Sequence, residues 1–599
     1  MHATIRLLFL GWLLSRCIIP AVAAAAAQAG EPDVARARAI LDGWHAEAAE
    51  PGERLLHVIA WRTNDRGFPA DQPARLDRIM THIQDFYRRE MERHGFGPRS
   101  IRLARDAAGK LVVHEVVGEG AWADYDGPDG GRIRKECVPV LRAKGIDIDR
   151  ETVMIFTNLA EWDSDKLTFR HKSPYYAGGG PRQGTGWQLD SPELDTTNLA
   201  AKEPLVQDGQ YGRISLGKHN SIFIGGIAHE LGHALGLPHC CERPDEAVRG
   251  TALMGSGNRT YGDELRGDGK GSFLTLAHAL RLASHPQFSG SVKGFGTQGR
   301  ASLTDLAVEP ASDRRSFRVA GRVAGEPPVY AVVGYLDPAG GGDYDARTVT
   351  AVPDAEGRFS VDCSALVPGQ TAELRLVACH ANGDTSAIGQ PYGVAKDGTV
   401  DVETMQVAFG LEAFLDVLAA KGPEAARGVA PAGGAAARFA TAVLGGRAAA
   451  RETVVTAEAP ASTVSLLLAA CRPAEARVGW LKPAYDHLPR REAVIESAGR
   501  LYESGIYAHA PALHRYDLAH AWRRLRGACG LPTQSGGSVV FLIKADGRQV
   551  FRSPKLVPGR TASYDIDLAG VKTLELVTED GGDGTGADWG VWLAPELSR

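Results

Sequence analysis

No Lys/Arg block stands out in this chain, and neither charge sign dominates. Against 67 Lys and Arg stand 72 Asp and Glu, for a net charge of −5 over 599 residues. Nothing electrostatic therefore points to a nucleic-acid partner. Beyond the first thirty residues there is no apolar run long enough to span a bilayer as a helix, so a soluble mature protein is expected. No fixed-period repeat is present, and no Gly-x-Ser-x-Gly signature of a serine hydrolase. What remains is ordinary for a globular protein, 44% hydrophobic and 23% charged. The length exceeds what one core supports and implies three or four domains.

The N-terminus differs from the rest. Arg6 supplies a positive start, Leu7 to Ala23 is apolar apart mainly from Ser15 and Arg16, and Ala23–Ala27 offers small-residue cleavage sites. This predicts a secretory signal peptide over 1–27, a mature start between 24 and 30, and a secreted or cell-envelope location. The competing reading is a membrane anchor, for which the uninterrupted apolar runs are short. Cys17 suggests a lipoprotein, but Arg16 just before it spoils that reading.

Seven cysteines follow the signal: Cys137, Cys240, Cys241, Cys363, Cys379, Cys471 and Cys529. A secreted setting permits disulfides, and an odd number leaves at least one thiol out. Cys363 and Cys379, in neighbouring predicted strands, are the best bridge candidates. Pairing of Cys137 with Cys240 or Cys241 is the next expectation.

From 53 to 290 the pattern alternates strand and helix. Leu55–Trp61 and Thr152–Phe156 read as strands, Ala74–His94 and Arg132–Lys144 as helices, and Ile101–Val117 as a hairpin. Residues 170–215 read as a long loop, of the kind that often carries function. From 310 to 402 short strands separated by turns predict an Ig-like β-sandwich. Residues 403–477 are Ala-rich, helical in part, with 422–450 as a linker. From 478 to 599 the β texture returns.

One segment carries chemistry. His229-Glu-Leu-Gly-His-Ala-Leu-Gly-Leu-Pro-His239 puts His229 and His233 four apart, on one helical face. Gly236 lets the backbone leave the helix with positive φ, so that His239 can return as a third ligand. Three protein ligands and an open position are the catalytic zinc arrangement. Glu230 is placed as general base. A chance match to the five fixed positions anywhere in the chain has odds of about one in ten thousand. The bland alternative is a surface helix with three solvated histidines.

This run resembles the metzincin signature. The resemblance implies an α/β zincin catalytic domain over 53–290, one catalytic Zn2+, hydrolysis of peptide bonds in a protein or glycoprotein substrate, and a methionine turn beneath the metal. Met254, fifteen residues past His239 in a Gly-rich turn, fits that place. Some metzincins add a tyrosine ligand two residues later, where this chain has Ser256. Tyr261 is a candidate for touching a transition-state oxyanion. The helix Ser272–Ser284 carries Phe273, Leu276 and Leu280 on one stripe and closes the domain; His278 and His285 there read as non-ligands. The stretch is also similar to a family of secreted metallopeptidases of fungi and bacteria. Many metzincins are latent through an N-terminal cysteine or aspartate. The extension over 28–52 holds Asp33, Asp42 and no cysteine, so no cysteine switch is expected.

The C-terminal segment carries Gly505–Ala510, Gly537–Ile543 running into the turn Asp546-Gly547, and Ala587-Asp588-Trp589. These resemble a family of carbohydrate-binding modules, a jelly roll of the galactose-binding type. The family has an Asp-His pair before Ala-Asp-Trp, where this chain has Thr585-Gly586. Trp589, Trp592, Asp588 and His509 are candidate glycan contacts, against a reading of both tryptophans as core. The leading expectation is a secreted zinc endopeptidase aimed at glycans or glycoproteins. The alternatives are a carbohydrate-binding adhesion protein with an inactive protease-like domain, and a zinc hydrolase of a non-protein amide.

Overall fold

The computed structural model describes residues 31–47, 53–69, 71–340, 342–448, 464–490, 493–533 and 535–599. The expected signal peptide and Cys17 lie outside the described residues. Among these residues no helix is long and apolar enough to cross a membrane.

The first element is a helix, α1 (Glu31–Glu47). Val34, Ala37 and Leu41, three and four apart, form its buried stripe. Arg36 donates to the carbonyls of Val352 and Pro353 at 2.6 and 3.1 Å. The N-terminal extension is thus a clasp between the α/β region and the first sandwich.

The α/β region is built on a five-stranded sheet. Its strands are β1 (Leu56–Arg62), β2 (Val113–Val117), β3 (Thr152–Thr157), β4 (Tyr176–Gly179) and β5 (Gly184–Leu189), in the order β2-β1-β3-β5-β4. All neighbours are parallel except β4, which pairs antiparallel with β5. The sheet is covered on both faces, which is why β3 is apolar and buried throughout. On one face Val58, Ala60, Met154 and Phe156 pack with α2 (Gln72–Arg93) and α4 (Leu216–Ala234). On the other, Ile59, Trp61, Val153 and Ile155 pack with Ile133, Cys137 and Leu141 of α3 (Gly130–Arg142). Residues 170–215 are less irregular than expected. They hold β4, β5 and part of a small sheet of Ala160–Asp163, Thr168–His171, Leu205–Asp208 and Gly212–Ser215. The closing helix, α5, spans only Leu276–Ala283, because Ser272–Phe273 pairs with Thr251–Ala252 as strand.

The β-sandwich begins with Arg300–Pro310, ahead of the expected start at 310. That strand is mostly exposed, so its sequence lacks the apolar alternation that signals a strand. Its sheet is Arg300–Pro310, Phe317–Glu326 and Arg358–Cys363. The facing sheet runs Arg347–Ala351, Val329–Pro338, Gln370–His380, Thr385–Val394 and Val400–Asp401. Val332, Leu336, Leu374 and Leu376 fill the sandwich core. Alternate residues of the same strands, Ala331, Val333, Tyr335, Val377 and Cys379, join the core of the α/β region instead. The sandwich is therefore packed on the α/β region through the outer face of one sheet.

The Ala-rich region corrects the linker expectation. Glu403–Gly410, Glu412–Arg427 and Gly434–Ala448 are helices that share a core around Leu411, Phe414, Phe439 and Val443. The C-terminal unit has two five-stranded sheets and its own core. It starts at Ser465, not 478, because Ser465–Leu467 pairs with the last strand, Val591–Ser598. The turn at Asp546-Gly547 has positive φ at both residues, the geometry of a two-residue hairpin.

No disulfide joins Cys137, Cys240, Cys241, Cys363, Cys379 or Cys529 among the described residues. Cys363 faces the sandwich core while Cys379, in the other sheet, faces the α/β core. Cys137, on α3, lies on the opposite side of the five-stranded sheet from Cys240, and Cys241 Sγ instead lies 3.3 Å from the Asp345 carbonyl. None of the expected pairs is joined.

Candidate metal centre

Helix α4 is buried along nearly its whole length and opens with a Ser215 cap that accepts from the Lys218 N–H. Its last turns carry His229, Glu230 and His233. Gly236, at φ 88°, takes the left-handed conformation that releases the chain toward His239. The three rings converge: His233 Nε2 lies 3.1 Å from His229 Nε2 and 2.9 Å from His239 Nε2.

Each ring is oriented through its other nitrogen. His229 Nδ1 is 2.7 Å from the Leu253 carbonyl, and His233 Nδ1 is 2.8 Å from the Leu237 carbonyl. A carbonyl only accepts, so both Nδ1 atoms carry protons and both Nε2 atoms keep their lone pairs. His239 Nδ1 meets the Asp343 carboxylate at 2.8 Å. Three convergent lone pairs repel unless a cation lies among them. Ligand nitrogens 2.0–2.1 Å from zinc in a tetrahedron sit about 3.3 Å apart, close to the spacing found. The donor set thus fits zinc, with a partner behind every ligand ring. Burial holds the His229 pKa down to about 3 and lowers that of His233, as neutral ligands require.

Glu230 is buried at 6% exposure, and that burial lifts its pKa to about 7. Met254 is buried with its Sδ against Gly232, where a Cβ would come within 2.3 Å of the sulfur. It therefore lies under the turn joining the two helix histidines, His229 and His233. Tyr261 does not reach the site. Its ring packs on His82 and Phe86 in the core, and its hydroxyl has no hydrogen-bond partner among the described residues. His278 and His285 lie in the core outside the histidine cluster, His278 near Cys240 and His285 capping a short turn. Asp33 pairs with Arg36 and Asp42 with Arg99, away from the centre.

The aromatic beside the three histidines comes from elsewhere. Tyr344 stacks on His239, with ring centroids 3.6 Å apart and planes 24° apart. It stands beside Asp343 on the sandwich loop that starts Pro338-Ala-Gly-Gly-Gly. Sequence reading treated that loop as a turn only; its Asp-Tyr-Asp after three glycines was the available signal. A cleft of about 390 Å³ borders the centre, lined by Ala177, Gly179, His233, Leu237, Arg281 and Arg375. Strand β4 forms its rim and ends the sheet, its outer edge pairing with no strand among the described residues.

In the C-terminal unit, Trp589 is half-buried and packs against Tyr507 and His509, with Arg490 over its ring at 5.0 Å. Asp588 is fully buried and accepts from the Ser538 N–H. Trp592 is 0% exposed, packed on Phe541 and Tyr564. It is core, because its strand alternates and position 592 points inward. That removes it from the glycan candidates.

Residues 465–598 match the family model described as the NPCBM/NEW2 domain, a carbohydrate-binding domain. No curated protein matches the chain. Among solved structures, it is similar to catalytically inactive OgpA from Akkermansia muciniphila in complex with an O-glycopeptide. The identity is 25%, covering 58% of this chain and 94% of that one, with a TM-score of 0.48. It is also similar to CBM51 from Clostridium perfringens GH95 in complex with methyl-galactose, at 24% identity over 22% of this chain and 99% of that one, TM-score 0.21. A third is the M60 catalytic domain with CBM51-1 and CBM51-2 from Clostridium perfringens ZmpB, at 12% identity over 64% of this chain and 40% of that one, TM-score 0.22.

Proposed function

We propose that this chain is a secreted zinc endopeptidase of the metzincin type, directed to glycoproteins or glycan-coated surfaces by its C-terminal domain. The observation that carries the reading is the convergence of three Nε2 lone pairs from His229, His233 and His239, each aimed by an acceptor on its Nδ1. Bound there, zinc lowers the pKa of a coordinated water toward ~7 and polarises a substrate carbonyl.

The chain's own groups do the rest. Glu230, adjacent to His229 on the same helix, takes the proton of the attacking water and delivers it to the leaving amine nitrogen. Burial, which raises the Glu230 pKa to about 7, also keeps bulk water from competing for that proton. The free edge of β4 offers backbone N–H and C=O groups to an extended peptide, which adds as a further strand across the cleft. That docking supports a peptide substrate over a small amide. The match over 465–598 supports the glycan-directed part of the reading.

Purified protein incubated with peptides and with glycoproteins, with and without a chelator, tests this. Cleavage that stops on chelation and returns with zinc is expected. Cleavage indifferent to chelation, or none from zinc-loaded protein, overturns it.

A further inference from the structure

Two of the three ligand histidines are held from within the α/β region. The third is not. His239 follows Gly236, beyond the end of α4, so no helix fixes its ring. Its Nδ1 partner is Asp343, 104 residues later, on the sandwich loop between strands Val329–Pro338 and Arg347–Ala351.

That loop is docked rather than merely near. The Cys241 N–H donates to the Ala346 carbonyl at 2.8 Å, and Cys241 Sγ lies 3.3 Å from the Asp345 carbonyl. Two residues past His239 the main chain is thus tied to the loop that carries its partner. Arg375, from the adjacent sandwich strand, lies 3.8 Å from the second carboxylate oxygen of Asp343. Tyr344 covers the face of the His239 ring.

We infer that Asp343 and Tyr344 are positioning residues for His239, so that the metal centre is complete only with the sandwich in place. This rests on the zinc reading of the three histidines. The carboxylate fixes the His239 tautomer with Nε2 free, and as a charged acceptor it makes that nitrogen a better donor to a metal. Tyr344 removes the ring's freedom to tilt. The sandwich is then a working part of the catalytic unit, not a spacer before the carbohydrate-binding domain.

The test is zinc affinity of the full-length chain by chelator competition, with the visible spectrum of the cobalt-loaded protein as a second readout. Asp343→Ala is expected to weaken zinc binding by about 10–100-fold, the usual effect of losing such a partner. Asp343→Asn, which keeps an acceptor without charge and preserves shape, is expected to fall between it and the native chain. Asp343→Glu restores part of the loss. The cobalt bands shift in Asp343→Ala and Tyr344→Ala while far-ultraviolet circular dichroism does not. His233→Ala is the reference for a broken centre. Native protein that binds zinc no better than His233→Ala overturns the metal reading and this inference with it. Native protein that binds tightly, with Asp343→Ala and Asp343→Asn equal to it in affinity and cobalt spectrum, overturns this inference alone.

Discussion

The metal-centre histidines and His514 of the C-terminal unit are buried rings put to opposite uses. His229 and His233 each have an Nδ1 bonded to a carbonyl and an Nε2 aimed at a shared point. His514 is 0% exposed, and neither of its ring nitrogens has a hydrogen-bond partner among the described residues. The first two rings are oriented; the third fills volume between strands. Burial alone therefore does not mark a site. A polar atom whose direction is paid for by a partner on its far side does.

The largest expected effect breaks the oriented side of this comparison. His233→Ala removes one of the three neutral imidazoles proposed to hold zinc. Metal analysis should find zinc lost and peptide hydrolysis abolished. Glu230→Ala is expected to keep about one zinc per chain, since Glu230 is no ligand, while activity falls by about 10²–10⁴-fold, the range for a lost general base. Zinc retained at full occupancy in His233→Ala, or near-native turnover in Glu230→Ala, sinks the corresponding role.

Two tryptophans of the C-terminal unit, Trp592 and Trp589, sharpen it next. Trp592 is 0% exposed in the core, so Trp592→Ala should cost about 3–5 kcal/mol in stability. Trp589 is half-buried beside Tyr507 and His509, and Trp589→Ala should cost about 1 kcal/mol, a typical single-substitution value. The functional order is reversed: glycan-array binding is expected to be lost in Trp589→Ala. Native glycan binding in Trp589→Ala, with the unit folded, refutes contact there.

How much of this was legible depended on how far apart the contributors lie. His229, Glu230, His233 and His239 fall within eleven consecutive residues, and Met254 follows closely, so one motif displayed them. Asp343 and Tyr344 are a hundred residues on, in a different layer, and no local pattern connects them to a histidine. Tyr261 was misread because proximity along the chain was taken for proximity in space; its ring faces α2, not the three histidines. The strand–helix alternation over 53–290 was legible because both faces of the sheet are covered, which leaves continuous apolar strands and amphipathic helices. Cys363 and Cys379 show the limit. Neighbouring strands were recognised, but the sheet each belongs to, and the core each side chain enters, is set by tertiary packing. The exposed strand Arg300–Pro310 was missed for the same reason, since a strand outside the core need not look like one.

The smallest effect concerns His514 itself. Burial holds its pKa at about 4, against about 6.5 in the unfolded chain. The sign follows directly. Between pH 6.5 and 4 the unfolded state binds the proton and the folded state does not, so stability rises with pH. The contribution is intact above pH 6.5 and is lost as pH falls toward 4. At pH 5 the loss is about 2 kcal/mol for this one group. His514→Leu removes both the titration and two buried, unpartnered nitrogens at similar volume. The variant should be at least as stable as the native unit at pH 7 and should lose less on going to pH 5. His94, by contrast, has its pKa held to about 4 by burial but bonds the Leu274 carbonyl at 2.7 Å. His94→Leu should therefore destabilise the α/β region at pH 7 by leaving that carbonyl without its donor. Hydrogen exchange separates the two regions, read as opening free energy for Ala512–Asp517 in one and for α2 in the other, with intrinsic rates corrected for pH. A His514→Leu chain with the native pH slope over Ala512–Asp517 would show that other groups set the acid sensitivity of the C-terminal unit, and that a buried histidine without hydrogen-bond partners is not what distinguishes it.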